Sequence, residues 1–347
     1  MSATEREKQI YGPGVEIVRR EKGCTVYRLA DETGEAVMTS YQVFPGVDVI
    51  YNDVHRPVCG TDVLPLDGLL EIDHCREGRM ECEVCGEYIY MTPGDLTIHR
   101  KVGNVHNTYF PLSHYHGITV ALDTDSASRC LSCILEDTPV KSSELMERYC
   151  QNHACTVIRA RPGIEHIFSE LYSIPEQIRE GYLKIKVMEL LLFLGGTDLA
   201  ADAVSDSRYF PAAQVEAVKA AKEYLTQHTE KHITVSELAE RFGISQTTLK
   251  ACFKGVFGES VYTFARQFKM QKAAVLLRQT NKNVMEIAGI FGYDNGSKFA
   301  KAFRDVMGET PDKYRRASRA DWAPEKNREK CPNGAEANQK DWYHLNI

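Results

Sequence analysis

A stretch near the C-terminal end of this 347-residue chain repeats itself, and that repeat limits the possible folds more than any other feature. Glu237–Ile244 matches Glu286–Tyr293 at an offset of 49, and Phe253–Ser260 matches Phe303–Thr310 at an offset of 50. The added residue falls between a glycine and the helix expected after it, so it lengthens a turn. A unit that recurs in register is one supersecondary piece used twice.

Each copy has the residues that two short, closely crossed helices need. The first helix must present a small side chain at the crossing, Ala239 and Ala288, and the tight turn favours a residue without Cβ, Gly243 and Gly292. Leu238, Phe242, Leu249 and Phe253 are the expected core of the first copy; Ile287, Phe291, Phe299 and Phe303 are that of the second. Outward positions of the second helices are polar or basic: Gln246, Thr247, Thr248 and Lys250, then Ser297, Lys298 and Lys301. Such a face suits the major groove of DNA.

Charge agrees. The net charge is −6, yet residues 212–316 hold 17 Lys and Arg against 11 Asp and Glu. The remainder holds 25 against 37, so only the C-terminal part is expected to meet a polyanion. A helical bundle with solvated lysines is the plain alternative; two copies inside the basic segment favour the DNA reading.

The segment Ile233–Arg316 resembles the DNA-binding domain of the AraC/XylS family of transcription regulators. The resemblance rests on Ser236-Glu237-Leu238-Ala239, Leu249, Phe253-Lys254, Gly258, Lys269-Met270, Ala273 and Leu276-Leu277. It continues through Ile287-Ala288, Gly292-Tyr293, Phe299, Phe303-Arg304, Gly308-Glu309-Thr310-Pro311 and Tyr314-Arg315. Lys269, where the family most often has arginine, and Gly296 at a helix start are departures. The resemblance implies two helix-turn-helix units joined by a long helix over about Tyr262–Arg278, entering successive major grooves of double-stranded DNA. Carried over by position, base-edge candidates are Thr247, Lys250 and Ala251, then Gly296, Ser297, Lys298 and Lys301. Lys254 and Arg304, one turn on, are placed for phosphates. Lysine favours guanine, Thr and Ser are ambiguous readers, and alanine can touch only a thymine methyl.

The first 160 residues read mainly as strands, with runs at Thr25–Leu29, Val47–Tyr51, Glu87–Met91, Leu96–His99 and Gly117–Leu122. Met80–Met91 reads as a hairpin turning at Gly86, and Thr92–Asp95 as a second turn. The expected class is therefore α+β: a β-rich sensor at 1–163, helices at 164–198, a linker at 199–211, the helical reader at 212–316 and a disordered tail at 317–347. In the resembled family the N-terminal domain is often a cupin-like barrel that binds an effector and dimerises through flanking helices. The apolar run Leu190–Leu194 fits the dimer, and RNA polymerase is a further partner open to such a regulator. Asp48–Tyr51, Gly94–Leu96 and His114–Gly117 are candidate strand and rim segments around a pocket. His99, His106, His114 and His116 are its candidate lining, with His114 and His116 on one face of a strand. The ordered His-x-His…Glu…His pattern of metal-binding cupins is missing, so no metal or other cofactor is expected.

Eleven cysteines without a disulfide framework, no apolar stretch for a signal peptide and no bilayer-spanning run point to the cytoplasm. The pairs Cys82/Cys85 and Cys130/Cys133 raise one enzyme alternative and the histidine cluster raises a second. One is a zinc-cysteine DNA alkyl-repair methyltransferase and regulator, whose first pair is spaced Cys-x3-Cys rather than the Cys-x2-Cys found here. The other is a metal-cupin enzyme fused to a DNA reader. With no Walker loop, dinucleotide fingerprint, nucleophile elbow or HExxH in the sequence, no enzymatic activity is expected.

Overall fold

The computed structural model describes residues 3–59, 68–84, 86–100, 108–124, 126–127, 142–150, 155–196 and 209–320. Cys85, Cys130, Cys133, His106, the bulk of the expected linker and nearly all of the expected tail, including Trp322 and Trp342, lie outside these residues. The chain forms two compact units, residues 1–227 with 233–264, and residues 228–232 with 265–347.

The first unit opens with helix α1 (Glu5–Tyr11), closed at its start by a capping box of Thr4 and Glu7. The strands follow in chain order: β1 (Glu16–Glu21), β2 (Cys24–Asp31), β3 (Gly34–Phe44), β4 (Val47–His55), β5 (Val58–Cys59) and β6 (Leu69–Gly78). Next come β7 (Met80–Val84), β8 (Glu87–Met91), β9 (Leu96–Arg100), β10 (Thr108–Tyr109) and β11 (Tyr115–Asp123), and later β12 (Thr156–Ile158) and β13 (Phe210–Pro211). The hairpin read at Met80–Met91 is present, with Val84 opposite Glu87. The turn after it is held by Asp95, whose Oδ2 accepts from the Thr92 amide at 2.8 Å and the Thr92 hydroxyl at 2.9 Å.

Eight strands form one antiparallel sheet in the order β1-β2-β3-β4-β11-β6-β9-β12, and β13-β8-β7 form a second. The cupin-like closed barrel expected from the sequence is not found: among the described residues no pairing joins β1 to β12. The last strand of the large sheet, β12, is only three residues long and pairs with β9 alone. Alternation sends two core sets to opposite faces of the sheet. Tyr27, Met38, Ile50 and Ala121 meet Met80, Ile89 and Met91 of the second sheet. Val49, Ile72, Ile98, Ile118 and Val120 meet the helices α2 (Ser142–Tyr149), α3 (Pro162–Leu171) and α4 (Arg179–Gly196). Pro175 does interrupt the helical run, which resumes through a 3-10 turn at Glu176–Ile178. Lys186 on α4 is buried because its ammonium pairs with Glu170 at 2.6 Å and Glu189 at 2.7 Å.

The remaining elements are helical: α5 (Ala212–Gln227), α6 (Val235–Arg241), α7 (Gln246–Phe257) and α8 (Val261–Gln279), then α9 (Val284–Ile290), α10 (Gly296–Met307) and α11 (Pro311–Ala320). The core of the second unit is Met270, Leu277, Ile287, Phe291, Phe299 and Phe303, with Ala273, Ala288 and Ala302 at close crossings. Cys252, Leu249 and Phe253 are fully buried in the first unit, where the Phe253 ring packs tilted against Phe257 and edge-to-face against Phe264.

Candidate nucleic-acid interface and sensor site

The repeat extends to the helix ends. Thr234 and Glu237 form a capping box at the start of α6, and Asn283 and Glu286 form the same box at the start of α9. Ser245 caps α7 by accepting from the Thr248 amide; Asn295 caps α10 by accepting from the Ser297 and Lys298 amides. Gly258 and Gly308 end these helices in the left-handed conformation, at φ 84° and 81°. Both units therefore start and stop by the same chemistry, which holds their second helices rigid.

The two turn glycines do different work. Gly243 has φ 66° with open space around it, whereas Gly292 has φ 74° and a Cβ there would lie 2.3 Å from the Glu230 carbonyl oxygen. Gly292→Ala should cost about 2 kcal/mol and Gly243→Ala about 1, since strain adds to a backbone clash only at the former. Urea unfolding of the two variants checks this; equal losses would refute the close approach.

On α7, Thr247, Lys250 and Lys254 are exposed and Ala251 is half-buried. On α10, Ser297, Lys298, Lys301 and Arg304 are exposed. Gly296 is half-buried because the Met285 sulfur occupies the space a Cβ would take, 2.4 Å away. Lys269 donates to the carbonyls of Lys231 at 2.8 Å and Phe291 at 3.2 Å, tying α8 to the turn of the second unit. Burial lowers its pKa.

The opposite side of α7 packs within the first unit. Arg79 donates to the Gly255 carbonyl at 2.5 Å, and the Phe210 ring lies where a Gly255 Cβ would stand. Phe210 is in β13, within the segment read as linker, and pairs with Tyr88. Helix α5 is held to the second sheet by Lys219, which pairs with Glu81 at 3.0 Å and lies 4.2 Å from the centre of the Tyr109 ring.

The histidines grouped by sequence divide between two faces. His99 lies on the side of the large sheet that faces the second sheet. There its Nε2 meets Asp73 at 2.8 Å, and Glu71 is 3.9 Å away. Asp73 also accepts from Thr119 at 2.5 Å and Thr97 at 3.2 Å, and Asn52 donates to Thr119 at 2.8 Å. Burial disfavours the charged imidazole, but the hydrogen bond and charge of Asp73 outweigh it and hold His99 at about 9. Burial likewise opposes ionised Asp73, and the bond to His99 prevails, keeping that carboxyl below its ordinary range. About 26% of the His99 side chain remains exposed. His114 and His116 lie instead by His55, on the opposite face, and His106 is outside the described residues. Strand alternation from a residue-exact register was needed to separate them. Asp73 was missed because an acidic residue within a largely buried strand matches no motif, and only the strand register shows that it faces His99.

Residues 238–317 match a family described as Helix-turn-helix domain. The transcriptional regulator Rob of Salmonella typhimurium (strain LT2) is 30% identical over 95 residues, 27% of this chain and 33% of Rob. The xylose operon regulatory protein of Escherichia coli (strain K12) is 32% identical over 99 residues, 28% of this chain and 25% of that protein. Among solved structures, the C-terminal domain of AraT, a response regulator from Geobacillus stearothermophilus, is 33% identical. It covers 29% of this chain and 84% of that one, with a TM-score of 0.29. The chain thus spans a third or less of the length of the two regulators it matches.

Proposed function

We propose, from a C-terminal segment that is an AraC-type helix-turn-helix domain, that this chain is a sequence-specific DNA-binding transcription regulator governed by a small effector. The observation that carries the reading is the pair of identically capped units, each turning lysines outward from its second helix. Thr247, Lys250, Ala251, Ser297, Lys298 and Lys301 would face base edges, while Lys254 and Arg304 would hold phosphates. Gly296 would only let the backbone approach. Selection of bound DNA from a random pool tests this directly: a short motif in two half-sites is expected, and recovery of unenriched sequence would refute specific reading.

The effector would bind in the strand-rich N-terminal region. The polar group of Glu71, Asp73, Thr97, His99 and Thr119 offers donors and acceptors to a small polar molecule there. Such a ligand can bias DNA binding only by favouring one arrangement of the protein over another. The likeness of this region to a cupin is kept to its antiparallel strands. Cytoplasmic location and contact with RNA polymerase belong to the same proposal; no helix among the described residues is long and apolar enough to cross a membrane. The zinc-cysteine alternative is not favoured: Cys82 is buried in the core between the two sheets and hydrogen-bonds to Cys155.

Dimerisation would use α4. Ile185 and Leu192, seven residues apart with Met188 between them, are 63% and 42% exposed, and Ile178 in the turn before the helix is 52% exposed. That spacing is the seam of two packed helices. The wild type is expected to sediment as a dimer at tens of micromolar and Ile185→Glu/Leu192→Glu as a monomer; a monomeric wild type would exclude this interface.

A further inference from the structure

The face of the large sheet opposite His99 carries a second group of chemistry-bearing side chains that DNA reading does not use. His55 at the end of β4, His116 in β11 and His114 just before that strand each present a ligating nitrogen. All three nitrogens lie within 4.8 Å of one another. The register explains the meeting. His116 stands directly across from Asp53, and His55 is two residues beyond Asp53 on the same face. Ring centroids are 5.2 Å apart for His55 and His114, 5.5 Å for His55 and His116, and 4.7 Å for His114 and His116. Asp53 Oδ1 is 2.8 Å from His55 Nε2 and 3.2 Å from His116 Nε2, and Glu77 is 3.6 Å from His114 Nε2.

The backbone is specialised at this place. Ser113, immediately before His114, has φ 53°, the one positive φ of a non-glycine residue among those described. Such a conformation is unfavourable for a residue with a Cβ and persists where surrounding structure imposes it. The β6–β11 register slips between His116 and Gly117, a bulge of the kind that re-aims a side chain.

We propose that His55, His114 and His116, with Asp53 as a fourth donor, form a binding site for one divalent transition-metal ion. Three imidazoles and a carboxylate suit zinc, nickel, copper or cobalt, and are a poor cage for calcium or magnesium. A tetrahedral site with metal–nitrogen bonds of about 2.0–2.1 Å sets its donors roughly 3.3–3.4 Å apart. Asp53 is already near that spacing from His55 and His116. The three rings must draw together by roughly 1 Å or more, within reach of side-chain rotation on paired strands.

Cobalt(II) and nickel(II) titrations of the full chain, followed by absorption and calorimetry, test the site. One ion per chain is expected, with cobalt d–d bands and no thiolate-to-cobalt charge transfer. His114→Gln/His116→Gln, or His55→Gln alone if the double variant loses its circular dichroism, should weaken binding at least tenfold. The exposed, distant His166→Gln should leave it unchanged. Absence of binding by folded wild-type protein, equal binding by the His114 and His116 variant, or a thiolate charge-transfer band each overturns the proposal.

Discussion

Alanine at both Lys250 and Lys301 is expected to reduce affinity for the selected DNA site by about a hundredfold or more, while affinity for random DNA falls far less. Each lysine is exposed on the outward face of a capped second helix. A good base-edge contact discriminates by about 1–3 kcal/mol at one base pair, and separate contacts add. Arg304→Ala, one turn beyond Lys301, should instead weaken all sequences alike and lower the slope of log affinity against log salt by about 1. Anisotropy titrations over several salt concentrations, against the site and its single-base variants, separate the two behaviours. Uniform weakening by Lys250→Ala and Lys301→Ala would move both lysines from base edges to the backbone and leave the helix-turn-helix fold untouched.

Asp73→Ala is expected to cost about 3–5 kcal/mol, because it strands a charged His99 and removes the acceptor of Thr97 and Thr119 together. The same pair sets a pH dependence. His99 is held at about 9 in the fold against an ordinary 6.5, so its contribution is complete below pH 6.5 and disappears as pH rises through about 9. Asp73 is depressed, so its contribution is present above the ordinary 3.8 and is lost as pH falls through its lower folded value. Stability from the pair should therefore plateau near pH 5–6 and fall by about 1–3 kcal/mol by pH 9.5. Asp73→Asn should flatten that alkaline decline. Thermal unfolding from pH 5 to 9.5 measures it, and parallel curves for wild type and Asp73→Asn would show that another group titrates.

Much of the C-terminal half was legible residue by residue. Ala239, Gly243, Ala288 and Gly292, the buried phenylalanines and the outward lysines all occupy the positions read from the repeat. Of the core read from the repeat only Phe242 is less than buried, turned toward the Tyr224 ring at 6.2 Å. Helical periodicity and capping are local: they depend on residues three or four apart, which sequence displays directly. The strands at Val47–Tyr51, Glu87–Met91 and Gly117–Leu122 were legible for the same reason, from alternation between turn residues. Short α1 and α2 carried too little pattern to be seen.

What the sequence determined by itself was thus the twofold helix-turn-helix repeat and the strand-rich character of what precedes it. Tertiary structure alone decided that the large sheet is open, that Asp73 belongs to His99, and that His55 joins His114 and His116 across 59 residues of chain. The physical reason is the two-residue period of a strand: a register displaced by one position exchanges every side chain between faces. Register is set by pairing between distant segments and by the bulge beside His116, neither of which leaves a mark in the local sequence.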